Sequence, residues 1–418
     1  MRRIWSDKCI VLGVTGSIAA YKACDLASRL VELGAEVVPV LTKSAREFVG
    51  AASFEAITGQ RAITEMFEPV QNPAIEHIAL ATRASLFIIA PATANIIAKA
   101  AHGIADDWLS TTLLATRAPI LFAPAMNSNM YSHPATIANI ELLKSRGCHF
   151  VGPESGRLAC KTIGPGRLID VQAIIEAATP LVSGNHELAG KRVLITSGGT
   201  REPVDPVRFL GNRSSGRMGR ALALAALARG AEVTVITGPA HVAPPYGARV
   251  VEVETAAEMA EAVAKHAPKA DVVIAAAAVA DYRVKAPSVQ KRKRDGAPVT
   301  LDLIENPDIL AALGKSRRKG RILVGFAAET ERLLENARAK LQKKNLDLIV
   351  ANQVSVADSG FEVDTVKGAI LDRAGPNEEF PLCAKEEFAE RLMERIVALA
   401  NAESDSSGIG RANFVPGG

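Results

Sequence analysis

Four short stretches in the first half carry residue types that can do chemistry. Gly13-Val14-Thr15-Gly16-Ser17-Ile18-Ala19-Ala20 joins an apolar run to a helix-like one. Glycines let the backbone approach an anion, and a Ser17 hydroxyl with helix N-terminal N–H groups can hydrogen-bond a phosphate. The stretch is neither a Walker loop nor a spaced G-x-G-x-x-G, which favours a mononucleotide phosphate over a pyrophosphate; it also serves as a plain strand–helix turn. Pro91-Ala92-Thr93-Ala94-Asn95 and Pro124-Ala125-Met126-Asn127 each follow an apolar run. Their small residues leave room for a flat ring, and Asn95 and Asn127 offer amides. His77 lies between Ile75 and Ile78, a setting that equally suits a core histidine. Cys160, in Gly156-Arg157-Leu158-Ala159-Cys160 before Gly164-Pro165-Gly166-Arg167, sits among glycines that suggest a mobile loop closing over a pocket.

In the second half, Ser197-Gly198-Gly199-Thr200-Arg201-Glu202-Pro203-Val204-Asp205-Pro206-Val207-Arg208 leads to Asn212-Arg213-Ser214-Ser215-Gly216-Arg217-Met218-Gly219. Backbone nests and the guanidinium forks of Arg201, Arg208 and Arg213 can cradle anions; a long surface connection is the plainer reading. Ala275 to Asp281 with Tyr282 forms a strand end with space for a ring. Lys291-Arg292-Lys293-Arg294 reads as a solvated loop, a nucleic-acid patch, or part of a triphosphate clamp. The clamp reading draws on Asn306-Pro307-Asp308, Phe326-Ala327-Ala328-Glu329, and Lys340 and Lys344, which share one helix face.

The elements that must position these residues follow from patterning. Apolar runs at Cys9–Val14, Val37–Leu41, Leu86–Ala90 and Ile120–Ala123 alternate with helical sequence, and the helix after the first run is expected over Ser17–Leu33. The rhythm restarts at Arg192–Thr196, with further strands at 232–236, 272–276 and 346–350 and a helix at 217–229. Such alternation predicts an α/β fold of two doubly wound, parallel-sheet domains. A breaker-rich linker is expected over 179–190, giving domains 1–190 and 191–402 and an unfolded tail at 403–418.

Composition narrows the class. The chain has 418 residues, two or three domains at roughly 150 each. Aromatics are only 4%, so the cores are aliphatic, as suits sheets buried on both faces. A net charge of +4 is too mild for a whole-protein nucleic-acid binder. Five cysteines without a C-x-x-C pair imply neither a disulfide framework nor a zinc site. The short apolar run near the N-terminus falls short of a signal peptide, and no run reaches the ~20 residues of a membrane span. The expectation is a soluble, cytoplasmic protein with no membrane or nucleic-acid partner.

Taken together and in order, Gly16-Ser17-Ile18-Ala19-Ala20-Tyr21-Lys22, His77, the two Pro-Ala turns and Leu158-Ala159-Cys160 resemble the flavin-dependent cysteine decarboxylases, in particular those acting on phosphopantothenoylcysteine. The likeness covers about residues 8–180; one departure is Lys161, where many relatives carry glycine. It implies a flavodoxin-like domain holding FMN through Gly16, Ser17, Thr42, Ser44, Thr93 and Asn95. It further implies His77 as base, Met126 and Asn127 as substrate-binding residues, with Asn127 on the carboxylate, and Cys160 as the acid that protonates the product enethiolate. Flavin oxidation of the cysteine side chain to a thioaldehyde would provide the electron sink for decarboxylation, and hydride return would close a redox-neutral cycle.

The blocks from about Lys191 to Ala400 resemble the phosphopantothenate–cysteine ligases, most closely at 197–219 and 277–283. That resemblance implies a Rossmann-like domain in which CTP activates the phosphopantothenate carboxylate as an acyl-cytidylate and cysteine displaces CMP. By it, Lys291 is catalytic, Asn212 contacts the acyl-cytidylate, and Arg208 binds substrate. Ala275, Ala276, Ala277, Asp281, Lys291, Asn306, Pro307, Asp308, Ile309, Phe326, Lys340 and Lys344 contact CTP, with magnesium carried mainly by the phosphates. Self-association into ligase dimers and decarboxylase trimers, up to a dodecamer, is also implied. The rival readings are a two-domain oxidoreductase and a nucleic-acid binder using Lys291–Arg294.

Overall fold

A computed structural model of the chain describes residues 2–66, 76–293, 298–329, 332–353, 360 and 362–408. The chain divides into two compact units, 1–184 and 185–418, each with its own sheet.

In the first unit, β1 (Cys9–Val14), β2 (Glu36–Leu41), β3 (Leu86–Ala92), β4 (Ile120–Pro124) and β5 (His149–Phe150) form one parallel sheet in the order β2-β1-β3-β4-β5. Successive side chains of a strand point to opposite faces, and both faces here are apolar. Ile10, Leu12, Leu86 and Ile88 join one core, while Cys9, Val11, Phe87 and Ile89 join the other. This explains strands that read as unbroken hydrophobic runs rather than alternating ones. The order is flavodoxin-like, with its switch point beside β1, where ligands of such sheets bind.

Two boundaries differ from expectation. The segment after β1 opens as a 3₁₀ turn, Ile18–Tyr21, before the helix Lys22–Glu32. The expected linker from 179 is still helix: Val171–Ser183 runs through Pro180. A proline inside a helix costs about 3 kcal/mol. Burial of Ile174, Ile175, Ala178 and Val182 on the same helix more than offsets it. Beyond β5, β6 (Glu154–Arg157) and β7 (Ile163–Arg167) form a separate antiparallel hairpin.

The second unit begins ahead of Lys191, since Leu188 is fully buried in its core and its N–H donates to the Arg229 carbonyl. Its strands are β8 (Arg192–Ser197), β9 (Arg201–Pro203), β10 (Phe209–Gly211), β11 (Glu232–Thr237), β12 (Arg249–Glu252), β13 (Val272–Ala275), β14 (Tyr282–Val284), β15 (Leu303–Glu305), β16 (Ile322–Glu329), β17 (Leu348–Gln353), β18 (Thr365–Asp372) and β19 (Glu378–Ala384). The main sheet runs β12-β11-β8-β13-β16-β17-β18-β19. Numbered within the unit, the six parallel strands follow the Rossmann order 3-2-1-4-5-6. Val193, Ile195, Val272 and Ile274 face one core; Leu194, Val273 and Leu323 face the other.

The parallel sheet carries an antiparallel pair, β18 and β19, at its far edge. The final helix, Lys385–Gly408, packs Phe388, Leu392, Met393 and Ile396 into the core and continues past the expected start of the tail at 403. Residues 409–418 lie outside the described residues.

Candidate active sites

The first site is stitched together at the carboxyl ends of β1, β3 and β4. Buried Thr15 donates its hydroxyl to the Pro91 carbonyl (2.6 Å) and accepts from the Thr93 N–H (3.1 Å). The turns after β1 and β3 are therefore one unit. The Ser17 hydroxyl accepts from the Ala19 N–H (3.3 Å), capping the 3₁₀ turn, and still has its proton to donate. Gly16 packs directly on the next loop: a Cβ there would stand 2.4 Å from the Ser44 Cβ. In that loop, the Thr42 N–H and hydroxyl both donate to the Val14 carbonyl. Thr93 N-caps the helix Ala94–His102, and Asn95 is exposed in its first turn. Hydroxyls, an exposed amide and otherwise small side chains at a switch point fit the phosphate and ring of a flavin mononucleotide.

The second feature of this site is a sulfur met by a side chain from 33 residues earlier in the chain. Asn127 caps the short helix Ser128–Tyr131 with its carbonyl oxygen, which accepts from the Asn129 N–H (2.8 Å). Its amide is thereby aimed at Cys160 Sγ, 3.3 Å away. The Thr162 hydroxyl lies 3.0 Å from the same sulfur. Hydrogen bonds from the Thr162 side chain and backbone, with a smaller one from Asn127, draw the exposed Cys160 thiol below its ordinary value.

Cys160 lies in the turn of the β6–β7 hairpin, and Lys161 beside it takes the left-handed conformation, φ +68°. Glycine adopts that conformation without strain, whereas a side chain disfavours it. The glycines read as marks of a mobile loop instead seat β7 on the Met126-Asn127-Ser128 turn. At Gly164 a Cβ would stand 2.6 Å from Ser128 Oγ. At Gly166, φ +129°, it would stand 2.2 Å from the Met126 carbonyl oxygen. The Met126 N–H donates to the Gly166 carbonyl, completing the contact. His77 is half-buried in the helix Glu76–Arg83. Among the described residues no hydrogen bond joins it to Asn127 or Cys160, and residues 67–75 lie outside them.

The second unit holds a cavity of about 610 Å³ at the carboxyl ends of β8, β13, β16 and β17. It gathers Asn212, Ala275–Ala277, Asp281, Asn306–Ile309, Phe326, Lys340 and Lys344, brought together from stretches far apart in the sequence. The strand end is fixed by hydroxyls: the Ala277 N–H donates to Thr196 (3.2 Å) and the Ala280 N–H to Thr200 (3.0 Å). Asn212 donates its amide to the Val279 carbonyl (2.9 Å), and Asn306 donates to that of Ala280 (2.8 Å). Both asparagines therefore also hold the segment they share with the ligand space.

Several charged residues have other occupations than expected. Lys344 is ion-paired with Asp308 at 3.0 Å, so a clamp using its bare charge needs that pair opened. Burial raises the Asp308 carboxyl, but the Ala311 N–H and Lys344 overcome this and hold it below the usual range. The three arginines of the loop do not form an anion cradle. Arg201 lies over the Phe209 ring, Arg208 pairs with buried Asp205, and Arg213 is 3.7 Å from Glu362. Glu202 is buried and accepts from the Ala256 N–H, fixing the helix Ala256–His266.

Neither Arg208 nor Lys291 lines the cavity; Lys291 is exposed. Asp205 ties the two segments together, accepting from the Arg292 N–H (3.4 Å) while Arg208 donates to the Arg292 carbonyl. Arg294 lies outside the described residues. Sequence reasoning missed Lys385 and Asn352, which line the cavity. A lysine opening a Lys-Glu-Glu helix looks solvent-facing, yet the fold buries it with its amine on the carbonyls of Gly360 and Val363.

Among the described residues no group of three or more His, Cys, Asp or Glu is arranged for a metal ion, and no helix is long and apolar enough to cross a membrane. Fold and sites together define a two-domain α/β enzyme with one small-molecule site in each domain. Residues 3–183 match the family described as flavoprotein, and residues 188–399 match the DNA/pantothenate metabolism flavoprotein C-terminal domain. The chain is 44% identical over 405 residues to the coenzyme A biosynthesis bifunctional protein CoaBC of Mycobacterium tuberculosis, covering 93% of this chain and 96% of that one. It is 44% identical over 406 residues to the protein of that name from Bacillus subtilis, covering 96% and 100%. A crystal structure of a C-terminal domain of the same name is 40% identical, with a TM-score of 0.45, and covers 52% of this chain and 100% of that one. The chain belongs to the family of bifunctional coenzyme A biosynthesis enzymes.

Proposed function

We propose that the second unit ligates 4'-phosphopantothenate to cysteine with CTP and magnesium, and that the first decarboxylates the resulting 4'-phosphopantothenoylcysteine to 4'-phosphopantetheine with FMN. The observation that carries this reading is one cavity that collects the expected nucleotide contacts other than Lys291.

In the ligase unit, small Ala275–Ala277 and the Phe326 ring offer a slot for a base. The substrate carboxylate attacks the α-phosphorus of CTP, pyrophosphate leaves, and the cysteine amine then displaces CMP. Asn212 borders the reacting acyl group, while Lys340 and Lys344 bring cations to the cavity and Arg208 and Lys291 act from its margin. In the first unit a bound flavin supplies the two-electron chemistry that gives departing CO₂ an electron sink. Gly16, Ser17, Thr42, Ser44, Thr93 and Asn95 hold it, and His77 takes up the substrate proton. Met126 and Asn127 orient the carboxylate, and Cys160 returns a proton to the enethiolate. A thiol drawn below its ordinary value suits proton donation near neutral pH. On this reading the enzyme is cytoplasmic and self-associates through ligase dimers and decarboxylase trimers.

Selective variants test the assignment. Cys160→Ser should leave CTP-dependent ligation intact and stall decarboxylation after CO₂ loss. Asn212→Asp should cut ligation at least tenfold and leave decarboxylation of supplied substrate unchanged. Normal ligation in the Asn212 variant would remove that residue from the site, and loss of both activities in either variant would contradict two separate sites.

A further inference from the structure

The ligase cavity contains a buried amine that the reaction above does not use. Lys385 is 3% exposed, lines the cavity, and donates to the carbonyls of Gly360 (2.9 Å) and Val363. Arg217, at the first residue of the helix Arg217–Leu227, lines the same cavity and grips the same stretch of chain. It donates to the Glu362 carbonyl (2.6 Å) and pairs with Asp364 (2.8 Å). The charged groups around Lys385 are thus Arg217 from that helix, and Asp364 and Glu362 from the 360–364 stretch, with Glu362 also facing Arg213. Glu386 adds a charge from its own helix. Burial, followed by repulsion from Arg217, outweighs attraction to Asp364 and Glu386 and pushes the amine down to about 8.

We propose that Lys385 is a proton-linked anion-binding residue of this cavity, so that a polyphosphate entering it is bound with the ammonium charged and takes up a proton. An opposite charge brought close to a titratable amine favours its charged form, typically by 1–3 pH units within about 4–6 Å. Linkage is reciprocal: an anion that tightens proton binding is itself bound more tightly by the protonated protein. A lysine that only braced the Gly360 and Val363 carbonyls would titrate the same way with or without ligand. The identity of the natural polyphosphate as CTP rests on the ligase reading above; the proton linkage does not.

The test is calorimetric titration of the full-length protein at pH 8 in buffers of low and high ionisation enthalpy. Magnesium CTP is one probe and inorganic tripolyphosphate the other. The terminal phosphate of CTP is already ionised at that pH, and any proton that tripolyphosphate itself exchanges is common to the unaltered and Lys385→Arg proteins, so the difference between the two reports Lys385. Uptake of roughly 0.4 proton per bound ligand is expected, vanishing in Lys385→Arg while binding persists. Affinity of the unaltered chain should fall roughly five- to tenfold from pH 7 to pH 9. This pH series needs no variant, so misfolding of Lys385→Arg would not shield the proposal. Zero uptake, uptake unchanged in Lys385→Arg, or affinity flat with pH would each overturn it, even if CTP binds. Lys385-dependent uptake with tripolyphosphate but no preference for CTP would support it and count against the ligase reading. Binding of neither probe would sink both.

Discussion

At the scale of single residues, Cys160 shows how a side chain acquires its chemistry from neighbours. The thiol is exposed, so burial does little; the Thr162 hydroxyl and N–H and the Asn127 amide all stabilise its anion. Cys9, Cys24, Cys148 and Cys383 behave oppositely, since burial pushes each of them up. Cys160 should therefore be the first cysteine to form thiolate as pH rises. The rate of its alkylation by iodoacetamide, followed by peptide mapping, should have a midpoint below that of a free cysteine. Thr162→Val should move that midpoint upward. An ordinary midpoint in the unaltered chain would show that the hydrogen bonds do not act on the sulfur. The residue types here were legible in the sequence, but their meeting was not. Nothing in the spacing from Asn127 to Cys160 says that a hairpin folds back over the turn after β4, and nothing marks Thr162. The same holds for Glu202 and Lys385, charged residues that a pattern reading leaves in solvent and the fold buries.

At the scale of elements, the parallel strands were readable because both faces of each sheet are buried, leaving unbroken aliphatic runs with Gly-rich turns at their ends. What escaped reading was decided by tertiary packing. Pro180 reads as a breaker, yet its helix is held by a buried apolar face. The β18–β19 pair has no unbroken aliphatic run as clear as that of β8 or β13, and its place as an antiparallel edge comes from the pairing of β18 on β17. The β6–β7 hairpin depends on glycine for a different reason than flexibility. Gly166→Ala would force a Cβ against the Met126 carbonyl oxygen in a backbone conformation that disfavours side chains. That substitution should cost roughly 2–4 kcal/mol of local stability. Hydrogen exchange should speed up at 124–128 and 154–167, and decarboxylation should fall while ligation is retained. Unchanged exchange in both segments would show that the hairpin is not seated through Gly166.

At the scale of the whole molecule, a net charge of +4 says little, because the charges that matter are local. Lys340, Lys344, Arg217 and Lys385 line one cavity with Asp281 and Asp308 among them, which suits a phosphorylated nucleotide better than a nucleic-acid strand. Two sheets with separate cores carry two sites, and two family matches fall one on each unit. On the proposed reading one chain performs both steps in sequence. Purified protein should be incubated with FMN, magnesium, CTP, 4'-phosphopantothenate and cysteine, and the products followed by mass spectrometry. The expected result is 4'-phosphopantetheine, with one CMP released per molecule formed, and no product when CTP is withheld. Folded, flavin-loaded protein that consumes CTP without yielding 4'-phosphopantetheine, or that yields it without CTP, would show that the chain does not couple the two steps.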